Sequence, residues 1–372
     1  MAALNFRAFY AFFVSLSLLS VLVSADPLHA LMARGRPVMN AAIKKSATCT
    51  KDKLRIRREW GDLSPGAKRR YISAVKCLMK KPSKLDPADY PGAKSRYDDF
   101  IVVHMKQTPY IHGTGNFLTW HRYYMSTFED TLRNECHYNG TQPYWNWPKW
   151  SQSLETSPLF DGSPTSLGGQ GYKTKVNGTA QRPAGEGGGC IASGPFKGLQ
   201  MNLGPRGLAT NLPDRPNPRA DGFGYNPRCV RRDITSYLTR RDGTMEKVVG
   251  LILNNTDIGS FQTNMQGNPS VHSMGHYSVG VDPGSDIYAS PGDVYFWFHH
   301  GMIDLVYAVW QALDFPNRQQ VISGGTLFWN GTDSRRATLN DTIDMDILRT
   351  DKPLQIKDLV STVDGPFCYL YE

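Results

Sequence analysis

The sequence predicts a mainly α-helical fold, a four-helix bundle core wrapped in long loops with few short strands. Three observations carry the prediction. Apolar residues recur at spacings of three and four in several separate runs, among them Tyr97 to His104, Phe117 to Leu132 and Phe296 to Trp310. The stretch 151–228 is dense in Gly, Pro, Ser and Asn and has no sustained period. Six cysteines, Cys49, Cys77, Cys136, Cys190, Cys229 and Cys368, form an even set able to pin such loops.

In chain order, residues 1–25 read as a secretory signal: Arg7, the apolar run AFYAFFVSLSLLSVLV, and the small-residue site Val23-Ser24-Ala25. No other stretch is apolar enough to cross a bilayer. Residues 26–48, with Pro27, Gly35, Pro37 and the dibasic Lys44-Lys45, read as a flexible arm or a short pro-segment. A single domain is expected over 49–372. Its first helix starts at Ser64-Pro65, with Ser as cap and Pro in the first turn, and buries Ile72, Val75, Leu78 and Met79. The next, in SRYDDFIVVHM, puts His104 on the same face as Tyr97, Phe100 and Ile101. Pro109 interrupts the run, and His112 follows in a loop marked by Gly113 and Gly115. A further helix begins near Asn116 with Phe117, Trp120, His121, Tyr124, Phe128 and Leu132 in one stripe. The aromatic corner Tyr144-Trp145-Asn146-Trp147-Pro148 closes this half. A Cys190–Cys229 disulfide would hold the loop-rich excursion that follows. Helical pattern resumes at Ile234 and Met245, continues through Val271 to Trp310, and gives way to strand- and turn-like segments such as GGTLFWNGT.

Six cysteines allow fifteen pairings. Proximity in sequence favours Cys77 with Cys136 and Cys190 with Cys229, leaving Cys49 with Cys368. The sequons at Asn139, Asn177, Asn254, Asn330 and Asn340 are N-glycan acceptors and agree with export to an oxidising, extracellular location. Formal net charge is +9. Lys and Arg are scattered, without the clustered stripe that nucleic-acid binding needs, so neither nucleic acid nor membrane is expected as a partner.

The chemistry lies in histidine. His104, His112 and His121 form one group, which helix, loop and helix can converge on an ion. His272 and His276, four apart, project from one helix face, and a member of the His299-His300 pair completes a second group. His29 lies in the presumed arm, and His137 follows a cysteine near a sequon. Six imidazoles without thiolate or carboxylate suit copper, and less selectively zinc, nickel or iron. Two such sets in one chain ask for a dinuclear site, and zinc has no redox chemistry to use one.

The blocks HGTGNFLTWHRYY with PYWNW, and PSVHSMGH with FWFHHGMID, resemble the type-3 copper proteins: tyrosinases, catechol oxidases and haemocyanins. The resemblance implies a bundle around two copper ions, one held by His104, His112 and His121, the other by His272, His276 and His300. His300 is preferred over His299 because the family's ligand stands four residues before an acid, here Asp304. His299 then becomes a neighbour supporting the ligands. Phe296 matches an aromatic residue stacked over the site. Tyr277 takes the gate position, and Asp304 and the Trp145-Asn146-Trp147 corner are candidates to orient imidazoles. The implied reaction is dioxygen-dependent oxidation of an o-diphenol to an o-quinone.

Departures narrow this. Ser273 stands where members able to hydroxylate monophenols often carry Asn, and no acid lies between Asp257 and His272. Asn146 replaces a common Asp. Tyr110 stands where some relatives have the cysteine of a thioether. Many relatives continue past a Tyr-x-Tyr motif into a lid domain; here Tyr369-Leu370-Tyr371 precedes only Glu372, so an open site is expected. The expectation is a secreted catechol-type polyphenol oxidase with weak or no monophenol hydroxylation. A true tyrosinase, an o-aminophenol oxidase and, more distantly, a non-catalytic dioxygen carrier are the alternatives.

Overall fold

The computed structural model describes residues 26–208, 215–328 and 331–372. The secretory-signal reading of 1–25 and the Asn330 sequon therefore lie outside the described residues.

The first finding is a correction. The segment read as a flexible arm is helix α1 (Pro27–Lys45), capped by Asp26, whose carboxylate accepts from the Leu28 and His29 amides. Leu28, Leu31, Met39 and Ile43 bury one face, and Gly35 sits so close to Ala312 that a Cβ would come within 2.6 Å. Gly35 and Pro37 look like breakers in sequence. Here the glycine permits close helix approach, and Pro37 sits inside the helix.

Strand β1 (Arg55–Arg57) follows, and then the capped helix α2 (Pro65–Leu78), in which the Ser64 hydroxyl accepts from the Ala67 amide as the sequence implied. Helix α3 (Arg96–Ile111) opens with a reciprocal capping box between Ser95 and Asp98. It runs through Pro109, contrary to the expected break. A proline this close to the end removes only one late hydrogen bond, so Tyr110 and Ile111 stay helical and His112 becomes the C-cap. Helix α4 (Phe117–Cys136) starts at Asn116 and ends at His137, which is exposed and left-handed at φ 55°.

The loop-rich excursion holds only short strands: β2 (Gly171–Lys173) with β3 (Gly188–Ile191), and β4 (Gln200–Met201) with β5 (Arg228–Cys229). Helices α5 (Ser236–Asp242), α6 (Met245–Leu253), α7 (Ile258–Gln266) and α8 (Val271–Val279) come next. A single turn, α9 (Val281–Gly284), leads to α10 (Tyr295–Leu313), which is buried along nearly its whole length. The one-turn α11 (Phe315–Arg318) ends the helical part. The described residues of GGTLFWNGT, 324–328 and 331–332, are turn-like, with a bridge between Gly325 and Arg336. Strands β6 (Thr342–Ile343) and β7 (Leu354–Gln355) pair antiparallel, and β8 (Tyr369–Tyr371) pairs parallel with β1.

All three disulfides join the expected partners: Cys77–Cys136 and Cys190–Cys229, favoured by sequence proximity, and the remaining pair Cys49–Cys368. Helix α10 packs on α1, α4 and α8. Its Trp297 stacks on Phe128 of α4 at 3.7 Å between ring centroids and donates a hydrogen bond to the Tyr97 hydroxyl of α3. Helices α3, α4, α8 and α10 thus share one aromatic core, and each carries or ends in histidines of the two groups. No helix among the described residues is long and apolar enough to cross a membrane.

Candidate metal centre

His104 lies on the buried face of α3, His112 just past its end, and His121 one turn into α4. Each Nδ1 meets a backbone carbonyl: Tyr288 at 2.7 Å for His104, Thr108 at 3.1 Å for His112 and Phe117 at 2.8 Å for His121. A carbonyl only accepts, so each Nδ1 carries the proton and each Nε2 keeps its lone pair. The buried Nε2 atoms of His104 and His121 have no hydrogen-bond partner.

Helix α8 is started by Ser270, whose hydroxyl accepts from the Ser273 amide while Ser273 Oγ accepts from the Ser270 amide. The helical turn that follows places the His272 and His276 rings 4.8 Å apart. His299 and His300 approach from α10. In each group one ligand atom per residue lies within 4.8 Å of the others. The α10 pair is distinguished by its bonding. His299 Nε2 donates to the His272 carbonyl at 3.0 Å, and its ring packs beside Trp147 at 5.2 Å. Both nitrogens of His300 lack a partner, and its ring stacks on His121 of the first group at 4.4 Å.

The two groups are contiguous. The Phe117 ring lies 4.8 Å from His121 and 5.0 Å from His272. Phe296 lies 4.2 Å from His300 and 5.4 Å from His104, an aromatic partition packed against both groups. Burial, reinforced by neighbouring imidazoles, depresses the pKa of His104, His121, His272 and His300 well below the ordinary value. Burial alone pushes His112 down to about 4, opposed by its Thr108 carbonyl, and burial with the His112 charge takes His276 to about 3. At neutral pH the set is therefore uncharged, the protonation state in which imidazole binds a metal.

A cavity of about 230 Å3 opens onto His112, His272 and His276, with Ser273 and Tyr277 on its wall as well as Gln266, Asp286, Ile287, Ser290 and Phe328. Two expected orienting residues are elsewhere. Asp304 meets no imidazole: its carboxylate accepts from Arg122 Nε at 2.6 Å, from the Tyr369 and Tyr371 hydroxyls at 2.6 Å each, and from Arg57 at 3.4 Å. One helical turn beyond His300, it points at β1, α4 and β8, where these partners lie. Asn146 accepts only from the Lys149 amide in its own turn, so the aromatic corner touches the site through the Trp147 and Trp145 rings beside His299.

The carbonyl of Tyr288 and the side chains of Gln266, Asp286 and Phe117 belong to the site and were not read from the sequence. Phe117 had a readable signal, standing four residues before His121. A backbone carbonyl reaching His104 from 184 residues away had none.

Converging, uncharged nitrogen donors with orphaned Nε2 atoms, and no thiolate or carboxylate among them, fit copper. Residues 94–313 match the common central domain of tyrosinase. Tyrosinase P of Aspergillus terreus is 41% identical over 332 residues, covering 85% of this chain and 91% of the relative. N-acetyl-6-hydroxytryptophan oxidase of Emericella nidulans is 34% identical, covering 87% and 94%. The structure of a polyphenol oxidase point mutant from Thermothelomyces thermophila superposes with a TM-score of 0.84 at 38% identity, over 93% of this chain and 97% of that one. With the histidines of both groups buried around one aromatic partition and homology spanning most of its length, this chain belongs to the tyrosinase family of dinuclear, type-3 copper oxidoreductases.

Proposed function

We propose that the protein is a secreted o-diphenol oxidase that converts catechols to o-quinones with dioxygen and hydroxylates monophenols weakly or not at all. His104, His112 and His121 would hold one copper, and His272, His276 and His300 the other. His299 braces α8 through the His272 carbonyl. When bound, the metals supply two-electron exchange between the diphenol and dioxygen.

The observation that carries the reading is that no described residue of the cavity wall offers an available carboxylate base. Among the described residues Asp286 is the one carboxylate there, and it accepts from four backbone amides, Arg206, Gly207, Tyr288 and Ala289, at 2.7 to 3.3 Å. Ser273 is spent on the helix cap. A monophenol needs its proton removed before it can be hydroxylated, whereas a catechol is the easier substrate to oxidise. Phe296 and Phe117 pack against the imidazoles on the interior side, and a cavity of about 230 Å3 with Tyr277 and Phe328 on its wall would admit an aromatic ring. Two relatives, a tyrosinase and an N-acetyl-6-hydroxytryptophan oxidase, support a hydroxylated aromatic ring as the substrate. Disulfides and exposed sequons at Asn139, Asn177, Asn254 and Asn340 support export and glycosylation.

Oxygen uptake by the copper-loaded protein across matched monophenols, catechols and o-aminophenols tests this. Catechol turnover at least about a hundredfold above the matched monophenol, a barrier difference near 2.7 kcal/mol, is expected. Comparable rates would make it a tyrosinase, and dioxygen binding without uptake would make it a carrier.

A further inference from the structure

The cavity wall holds one polar group whose orientation is locked and whose donor is unused. Gln266, the last residue of α7, is 9% exposed and lines the cavity beside His112, His272 and His276. Its Oε1 accepts from the Gly113 amide at 2.7 Å. An amide N–H can only donate, so this bond fixes which end of the carboxamide faces the backbone. The Nε2 group therefore carries the free donors, and it has no hydrogen-bond partner among the described residues. One turn earlier, Gln262 Nε2 donates to the carbonyls of Thr114 at 3.4 Å and Ser323 at 2.9 Å. The two glutamines latch the loop after His112 from the same helix face, so Gln266 is held in place by its surroundings.

The other polar groups of the wall do not share this property. The hydroxyls of Tyr277 and Ser290 rotate to donate or accept as a ligand requires. Asn268 is exposed at the mouth. Asp286 is filled by backbone amides. No Lys or Arg lines the cavity among the described residues. A nearly buried neutral donor with no Lys or Arg beside it among the described wall residues matches an uncharged acceptor better than a carboxylate, whose desolvation the amide alone could not offset.

We infer that Gln266 is a specificity-determining residue whose Nε2 donates to a neutral acceptor on the ring of the substrate, so that the enzyme prefers phenols bearing an acyl, amide or similar carbonyl group. This rests on the phenol-oxidase reading above for the ring chemistry, but the binding preference is measurable without turnover.

The test uses the copper-loaded protein at pH 8 with two variants. Gln266→Glu keeps the acceptor for Gly113 and removes the donor, and Gln266→Met removes both. Inhibition or binding constants are measured for acetophenone and ethylbenzene, unreactive rings of the same size with and without a carbonyl. Both variants should weaken acetophenone about tenfold, the worth of one ordinary net hydrogen bond. Ethylbenzene should move less than twofold. In turnover, the ratio of kcat/KM for 3,4-dihydroxyacetophenone to that for 4-ethylcatechol should fall by the same factor. Equal shifts for both rings would mean that Gln266 acts only through the His112 loop, and no shift would mean that it meets no ligand; either overturns the inference. Failure of the wild type to oxidise any catechol would instead overturn the phenol-oxidase reading, with the acetophenone comparison still deciding this one.

Discussion

A ligand set is only as precise as the groups that orient it, and here those groups are mostly backbone. His112 and His121 take carbonyls four residues back in their own chain, so each ring inherits the stiffness of the helix it grows from. His299 depends on shape. Gly275, between His272 and His276, lies against its ring, and a Cβ there would come within 2.1 Å of Cε1. Gly275→Ala should displace His299, loosen its bond to the His272 carbonyl, cost about 1–3 kcal/mol of stability and lower copper content. Urea melts with metal analysis check this; a variant with unchanged midpoint and two coppers per chain would contradict it. The helical histidines were legible because 3.6-residue periodicity shows which residues share a face. His299 and His300, being adjacent, face different ways, and only a resemblance separated them. The Tyr288 carbonyl was illegible because backbone acceptors carry no residue signature.

At the scale of elements, α10 joins the metal centre to the chain ends. Asp304 gathers Arg122 of α4, Arg57 of β1 and both tyrosines of β8. Burial alone would raise its pKa, but Arg122 and Arg57, with the two hydroxyls, hold it below the ordinary value. Removing this charge strands the buried guanidinium of Arg122, whereas Arg57 keeps its buried pair with Glu129. Asp304→Asn should therefore destabilise the fold by about 3–5 kcal/mol, while catechol KM in whatever remains folded should change little. Chemical denaturation and steady-state kinetics together separate the two effects; a large KM change with wild-type stability would restore Asp304 to a direct role at the site. The spacing to His300 was readable, and its use was not. An acid one turn from a ligand can point to the ligand or to the next element, and the long-range partners decide. Helix α1 shows the converse. Its buried stripe of Leu28, Leu31, Met39 and Ile43 is present in sequence, but Gly35 and Pro37 conceal it because their use in close packing depends on Ala312, far along the chain.

Across the whole molecule, the buried imidazoles set a pH limit. A histidine whose folded-state pKa lies below its unfolded value near 6.5 binds fewer protons when folded, so it contributes stability above that pH and loses it as pH falls. His112 at about 4 and His276 at about 3 place the loss between pH 6.5 and 3. The copper-free protein should melt at a steady temperature from pH 8 to 7 and at progressively lower temperatures from pH 6.5 downward. Calorimetry across that range checks it, and a flat profile from pH 7 to 4 would contradict buried, uncharged rings. Cys49–Cys368 followed only by elimination, whereas the Cys77–Cys136 and Cys190–Cys229 disulfides and the helical core were legible because cysteine proximity and apolar periodicity are local records. The cavity wall was not, being assembled from α7, α8 and the 284–290 loop with Phe328 at its rim.

The bond from His104 to Tyr288 also bears on the order of events during synthesis. His104, His112 and His121 emerge early from the ribosome, but the carbonyl that orients His104 is made 184 residues later. Until then His104 has no fixed tautomer, and any early metal would meet a half-oriented set. Faithful loading of copper therefore belongs after Tyr288 has been made, when the late-made loop has closed over the early-made helix.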